Sequence, residues 1–440
     1  MIKKDELLSK IQKAGIVGGG GAGFPTYFKL GTEVENLIIN GAECEPLLET
    51  DKTLLRTKLE TIFDGIEAAA ELLNVQNIYI GIKEKYPDII NRVNEFSKKT
   101  EVYPLKNVYP VGDEHILVRE ITGRIIPEGG IPLSVSCVVH NVETMYHLGR
   151  LINGNEPWIT RFLTVSGNVK NPFVAEVPVG TPVKELIEIA DPNIPLEASV
   201  ILDGGPMMGK FIGIDSVVNK TTSGILIFSE NSKIIRQRRR DFSEIVRISR
   251  SACIQCRRCT DFCPRYLNGH RCEPHKWMRN LAFGELTPNE MVFTCCECGV
   301  CELFACPMDI SPRLVAQIFK EELFKNGVKN EEYHMKPERV RSFTEFRELT
   351  TQRLMERLDI DQFDFHPSLR KGKIEPKEVK IFTDRHIGTP SEVRVKKNEK
   401  VKAGDIIADH PKEGLGINYH ASISGTVVES VESFVRIERK

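Results

Sequence analysis

Eight cysteines set in two runs constrain this chain more than any other feature in it. Cys253, Cys256, Cys259 and Cys263 form C-x2-C-x2-C-x3-C closed by Pro264, and Cys295, Cys298, Cys301 and Cys306 form C-x2-C-x2-C-x4-C closed by Pro307. Three thiolates at two-residue gaps can wrap one corner of a cubane, while a fourth held off by the proline turn reaches elsewhere. The competing chemistry is structural zinc, which takes paired C-x2-C hooks and closes with four ligands; two triplet-plus-one runs fit it poorly. Disulfides are a third reading for a chain with twelve cysteines, but ten of the twelve fall between Cys253 and Cys306 at ligand spacing, the pattern of a metal site in a reducing compartment. The spacing predicts two [4Fe-4S] clusters with crossed ligation: Cys253, Cys256, Cys259 and Cys306 hold one, and Cys295, Cys298, Cys301 and Cys263 hold the other. Cys272 and Cys296 are left over as spare thiols, and Cys296, directly after a ligand, is expected to point away from the cluster. Cys44 and Cys137 read as small apolar side chains.

At 440 residues the chain is long for one core and suggests about three domains. Its 60 basic and 61 acidic residues leave a net charge of -1, so bulk electrostatics give no case for nucleic acid or an anionic membrane. The basic run Arg236 to Arg240 reads as a solvated helix surface. Leu7, Leu8 and Ile11 stand at helical spacing among charges near the N-terminus, an amphipathic helix rather than a secretory core, and no stretch approaches the ~20 apolar residues of a membrane span. A soluble, cytoplasmic protein is expected.

Along the chain the first 150 or so residues alternate strand and helix signals. NLIIN (36–40) and NIYIGIK (77–83) read as buried strands with a helical period over 53–73 between them, an α/β pattern with a mostly parallel sheet. Short β-type runs follow to about residue 215, with a helical piece near 183–190. Then come a polar bridge, the cysteine region, charged helices, and from residue 379 a return of strand alternation that suggests a small all-β barrel or sandwich.

The front end is glycine-rich: GIVGGGGAGFPT (15–26). Crowded glycines let backbone N–H groups approach a phosphate, although a flexible turn accounts for such a run equally well. Three more segments, NGAECEPLLETD (40–51), YPVGDEH (109–115) and VVHNVETM (138–145), carry polar residues at or near predicted strand ends, where open α/β sheets bind ligands. GGGGAGFPT with Lys29, then NGAECEP, GDE and HNVET, resemble the flavin- and NADH-binding subunit of respiratory complex I and its relatives, among them the C subunit of the Rnf complex. The resemblance implies that Gly18, Gly20, Gly21, Gly23, Phe24, Lys29, Asn40, Glu43, Glu45, Gly112, Asp113, Glu114, His140, Asn141 and Thr144 hold FMN and NADH. Two positions depart from that pattern: Ala42 stands where the family has an acidic residue, and Thr32 where it has an aromatic that stacks nicotinamide. FMN is thus implied more directly than NADH.

The remaining parts resemble the same family. The implied fold is a multidomain α/β and β protein: a Rossmann-like FMN/NADH-binding domain (1–155), a soluble-ligand-binding β-grasp domain (158–215), a linker (216–248), a helical two-cluster ferredoxin-type domain (249–318), a helical linker region (319–375) and a barrel-sandwich domain (376–440). The barrel resembles lipoyl carriers without their lysine at the hairpin tip, so it reads as a packing module. In the Rnf C subunit the barrel precedes the flavin domain, whereas here it closes the chain. That order resembles the cobalamin reductases of propanediol-utilisation microcompartments. The resemblance implies an oxidoreductase that passes electrons from NADH through FMN and two [4Fe-4S] clusters to a corrinoid, with a corrinoid adenosyltransferase, a redox partner or a microcompartment shell protein as partners and a bacterial microcompartment as the location. The second reading is an Rnf-C-like module exchanging electrons with ferredoxin or another reductase. No general base or nucleophile is required, in keeping with the absence of a convincing triad. A scaffold or sensor that binds clusters without turnover is a third.

Overall fold

The computed structural model describes residues 4–439, apart from residues 98, 285–287, 289 and 330–338. Its first unit is built on the strand Asn36–Asn40, which pairs in parallel with Asn77–Lys83 on one side and Cys137–Asn141 on the other; Thr100–Leu105 forms the edge. A parallel sheet needs cover on both faces, and the apolar run NLIIN supplies two faces by alternation. Leu37 and Ile39 enter a core with the helices Leu59–Leu73 and Val142–Gly154, while Ile38 packs with Val111, Leu117 and Val139 on the other side. The two helices cross at glycines. A Cβ on Gly65 would stand 1.9 Å from the Met145 carbonyl oxygen, and one on Gly149 would stand 1.8 Å from that of Thr61. The helical period read over 53–73 is two helices, Thr50–Thr57 and Leu59–Leu73, broken at Lys58 where φ falls to −130°.

The second unit is a five-stranded sheet in the order Phe173–Pro178, Thr160–Gly167, Gly224–Ser229, Ser199–Asp203, Lys210–Ile212, with the helix Val183–Ala190 packed on it. This corrects the expected linker at 216–248. Gly224–Ser229 runs parallel to Thr160–Gly167 in the middle of the sheet, because GILIF is apolar on both faces and is buried on both. The basic run after it is only half a wet surface. Arg236 and Arg239 are exposed, while Arg238 and Arg240 donate to the backbone carbonyls of Pro206 and Asp309.

The cysteine region is helical, as expected, with short helices at Arg258–Asp261, Pro264–Leu267 and Pro274–Phe283 and a longer one at Pro312–Lys325. Residues 339–375, expected as part of a helical linker, are tied to both earlier units. Leu349–Thr350 pairs with Val108–Tyr109 of the first unit, Leu354 and Leu358 are buried with Tyr109 and Phe228, and Ser368 and Arg370 bond the backbone of Val174. The part of that expectation at 330–338 lies outside the described residues. The last unit packs a four-stranded sheet (Glu378–Phe382, Phe434–Glu438, Gly425–Val431, Lys400–Val401) against a three-stranded one (Glu392–Val393, Ile406–Asp409, Tyr419–His420). It sits on the N-terminal segment: Ile387 N donates to Gly23 O at 3.0 Å, and Gln12 Nε2 to Gly416 O at 3.1 Å. Among the described residues no helix is long and apolar enough to cross a membrane.

Candidate cofactor cleft and cluster sites

The register of the parallel sheet sets Asn40 beside Asn141 at the ends of neighbouring strands, and the loops that leave those ends enclose a cleft. Its volume is about 560 Å³, inside the range of about 300–1,000 Å³ for cofactor pockets. Gly18, Gly20, Phe24, Lys29, Asn40, Glu43, Glu45, Gly112, Asp113, Glu114, His140 and Asn141 line it. Three residues of the expected set do not. Gly21 stands outside it; Gly23, at φ 68°, packs on Thr221 and His386, where a Cβ would meet Thr221 Cγ2 at 2.8 Å. Thr144 works one layer back: its Oγ1 accepts from Gly19 N at 2.9 Å and so holds the glycine loop.

Several lining groups shape the walls rather than face inward. Asn40 Nδ2 donates to Gly112 O at 2.9 Å and Asn141 Nδ2 to Asp51 Oδ2 at 2.8 Å. The Glu43 carboxylate accepts from Asp51 N and Lys52 N at the start of the helix Thr50–Thr57, and Glu45 accepts from Met207 N and Met208 N of the β-grasp unit, both at 2.9 Å. Burial raises both acids above the ordinary carboxylate range. Thr32 caps the chain locally by donating to Lys29 O, and Ala42 is buried. What remains for a ligand is a set of donors. Lys29 Nζ lies 3.4 Å from both Glu114 Oε1 and Val139 O at the mouth. His140 Nε2 is buried without a partner, and burial, helped by the Lys29 charge, lowers this histidine to about 3, so its ring is neutral.

Sequence reading missed Arg161. It comes from the β-grasp strand Thr160–Gly167 and reaches the cleft floor, with NH1 2.8 Å from Glu143 Oε2 and Nε and NH2 donating to Thr222 O and Gly19 O at 2.6 Å. A Cβ on Gly19 would stand 3.2 Å from Arg161 NH1 and 3.3 Å from Thr144 N, so the loop lies on these groups as only glycine can. Bare backbone, Lys29, Arg161 and an unpartnered imidazole nitrogen in one cleft of this size fit a flavin nucleotide, whose phosphate needs cations and amides and whose ring system needs hydrogen-bond donors.

The cleft also has a wall from the cysteine region. Cys296 and Cys298 line it, together with Arg265. The Arg265 guanidinium pairs with Asp113 Oδ2 at 2.8 Å, and the same aspartate caps the helix Glu114–Thr122. Tyr109 OH donates to Cys298 O at 2.8 Å. Cys44 lies in the cleft too, its thiol raised to about 11 by burial.

The eight cysteines fall into two groups. Cys253, Cys256, Cys259 and Cys306 line one hollow of about 170 Å³, and Cys256 is exposed there. Burial pushes the Cys301 thiol up, with Cys295, Cys263 and, from the first group, Cys259 adding to it; Cys298 has Cys263 and Cys301 among its neighbours. Cys272 is fully buried against Cys263 and Cys295. Both runs fold alike: Gln255 and Arg257 take φ of 52° and 64°, and the matching Glu297 and Gly299 take 60° and 79°. Left-handed residues alternating in this way aim successive backbone N–H groups into a concavity suited to an anion such as an iron–sulfur cluster. Three of the four are not glycine, a strain the fold accepts at functional sites. Glu297 N already points at Cys295 Sγ (3.4 Å) and Ile310 N at Cys306 Sγ (3.3 Å). Among the described residues no three His, Cys, Asp or Glu side chains are arranged around a single ion; the first group of thiols rings a hollow instead.

Comparison with known proteins gives four matches in sequence: the Nuo51 FMN-binding domain over residues 11–150, the SLBB domain over 162–211, the 4Fe-4S dicluster domain over 252–311 and the RnfC barrel sandwich hybrid domain over 369–439. The cobalamin reductase PduS of Salmonella typhimurium is 32% identical over 443 residues, covering 100% of this chain and 97% of its own length. The PduS of Citrobacter freundii is 33% identical over 98% of this chain and 96% of its own length. The C subunit of the proton-translocating ferredoxin:NAD(+) oxidoreductase complex of Clostridium ljungdahlii is 35% identical over 271 residues, 60% of this chain and 56% of its own length. With an FMN-binding unit, an SLBB unit, a 4Fe-4S dicluster unit and a terminal barrel in the same order along nearly its whole length, this chain belongs to the PduS cobalamin reductase family.

Proposed function

We propose that the chain is a reductase that takes electrons from NADH and delivers them to the cobalt of a corrinoid, cob(III)alamin or cob(II)alamin. The observation that carries this reading is the shared wall: the glycine loop, Lys29 and His140 line the same cleft as Cys298, a ligand of one predicted cluster. Bound FMN supplies the chemistry that joins a two-electron donor to one-electron carriers. The chain's residues do the rest. Gly18 to Gly20 offer amides to the nucleotide phosphate with Lys29 at the mouth, Arg161 holds that loop from below through Gly19 O, and neutral His140 offers a hydrogen bond without adding charge. Phe24 presents its ring at the mouth, 5.8 Å from Phe28, as a surface for nicotinamide. Asp113 and Arg265 clamp the flavin unit to the cysteine region and keep water from the join. The group of Cys263, Cys295, Cys298 and Cys301 borders the cleft, and the group of Cys253, Cys256, Cys259 and Cys306 opens to solvent, which orders the path from cleft to surface. In the resemblance read from the sequence, a corrinoid adenosyltransferase would use the reduced cobalt, a shell or redox protein would adjoin the chain, and a cytoplasmic microcompartment would house it.

Anaerobically prepared protein should contain roughly eight irons per chain, the sum of two four-iron clusters, and a flavin that NADH bleaches. It should reduce aquocobalamin with NADH faster than it reduces ferricyanide or ferredoxin. Activity with ferredoxin but not aquocobalamin would replace the corrinoid reading with an Rnf-C-like one. Lys29→Ala should lose flavin while keeping its iron.

A further inference from the structure

We infer that the mouth of the hollow formed by Cys253, Cys256, Cys259 and Cys306 is a docking surface for the acidic face of a one-electron carrier protein. This rests on the electron-carrier reading above and names the place where electrons leave.

The rim of that hollow is apolar at its centre and cationic around it. Ile254 is 63% exposed and Met308 38%, and both line the opening beside the exposed Cys256. Arg257 and Arg279 line it as well. Between Arg247 and Arg279 the chain carries eight Lys and Arg against only Asp261 and Glu273. Four of the eight are paired within the fold, Arg257 with Asp261, Arg265 with Asp113, Arg271 with Glu128 and Lys276 with Glu273, which leaves the exposed Arg247, Arg250, Arg258 and Arg279. Arg257 has Asp261 at 3.4 Å. Arg258 and Arg279, by contrast, rest on the rings of Phe262 and Phe283 at 5.7 and 5.8 Å, with no carboxylate partner among the described residues. The charge extends beyond the hollow to Arg250 on the helix Phe242–Ala252, whose NH2 lies 3.5 Å from the Cβ position of Gly284 at the end of Pro274–Phe283.

A small apolar centre inside a charged, solvated rim is the anatomy of a transient protein interface. A cationic surface spread over two helices is larger than a small-molecule footprint and complements a carboxylate-rich face, which it would steer into contact at low ionic strength. The other cysteine group lacks this rim. Cys263, Cys298 and Cys301 are buried and Cys298 borders the flavin cleft, while the half-buried Cys295 lines a separate hollow with Glu128 and Arg265.

The test uses the full chain with both clusters in place, reduced by dithionite and then freed of it, so neither NADH nor flavin takes part. The probe is an acidic [2Fe-2S] ferredoxin, and the readouts are its stopped-flow reduction rate and its equilibrium binding to the oxidised protein. The wild-type rate should fall by at least about tenfold from low to high salt. Arg258→Glu/Arg279→Glu, with iron content and the cluster EPR signal unchanged, should show at low salt the slow, salt-insensitive rate and the weak binding of the wild type at high salt. If the double variant loses iron, Arg250→Glu, outside the hollow, should still lower both readouts. A variant that keeps the wild-type rate, affinity and salt dependence overturns the proposal. So does one that loses reduction of free aquocobalamin while the ferredoxin rate holds, because the mouth would then serve the corrinoid itself. Failure of NADH to reduce the clusters would count against the proposed donor and leave this result standing.

Discussion

Arg161 and Glu143 show what a buried charge does in this protein. Both side chains are sealed, at 1% and 0% exposure, and the pair holds Gly19 from below. Burial raises Glu143 to about 7 against the pull of Arg161. Removing one partner of such a pair leaves an uncompensated charge and costs about 3–5 kcal/mol. Arg161→Met should therefore destabilise the chain more than Arg161→Met/Glu143→Gln does, with at least about 1 kcal/mol recovered in denaturant unfolding. His140 gives a pH prediction with a definite sign. Its pKa is about 3 in the fold against the ordinary 6.5, so the unfolded chain binds the extra proton. Its contribution is complete above pH 6.5 and is lost as pH falls toward 3, at about 1.4 kcal/mol per pH unit. In flavin-free protein, His140→Gln should flatten the urea-unfolding stability between pH 6.5 and 5 by about 2 kcal/mol relative to wild type. Asn40, His140 and Asn141 can be read from sequence because each is polar at the end of an apolar run, where only a strand terminus makes sense. Arg161 cannot: an arginine in a strand reads as a wet face, and only the docking of the β-grasp sheet on the first unit buries it.

At the scale of elements, the crossing of Leu59–Leu73 with Val142–Gly154 fixes the cleft, since the second helix is capped by Asn141 and carries Thr144. The crossing depends on Gly65 and Gly149 bringing two backbones into contact. Gly149→Ala should destabilise the fold by about 1–3 kcal/mol in thermal unfolding and reduce retained flavin. Gly213→Ala, where a Cβ meets nothing within 4 Å, serves as the neutral control. Helices and strands with strong periods, such as 36–40 and 183–190, fall where their patterns predict them. Pairings across distance do not announce themselves. Val108–Tyr109 and Leu349–Thr350 are two-residue strands with no local signal, and GILIF at 224–228 reads as part of a bridge until strands pair along both its edges.

Across the whole molecule, the crossed grouping of cysteines makes a prediction that neither run makes alone. Cys263→Ala should lose the cluster beside the cleft, so NADH no longer reduces the cluster at the surface even though three of that cluster's ligands, and Cys306, are intact. Cys306→Ala should lose the surface cluster and leave the other reducible by NADH. Iron content and EPR after NADH addition distinguish the two, and identical behaviour of the variants would remove the crossed assignment. The barrel bears on a different question. It rests on Gln12, Gly23 and the core around Ile11 and Ile16, so the last unit of the chain is a neighbour of the first. The contacts between these two units do not depend on which comes first along the chain, the property that lets circularly permuted proteins fold. The order of units along the chain is therefore free to change among relatives, barrel first or barrel last, while the route from cleft to surface stays the same.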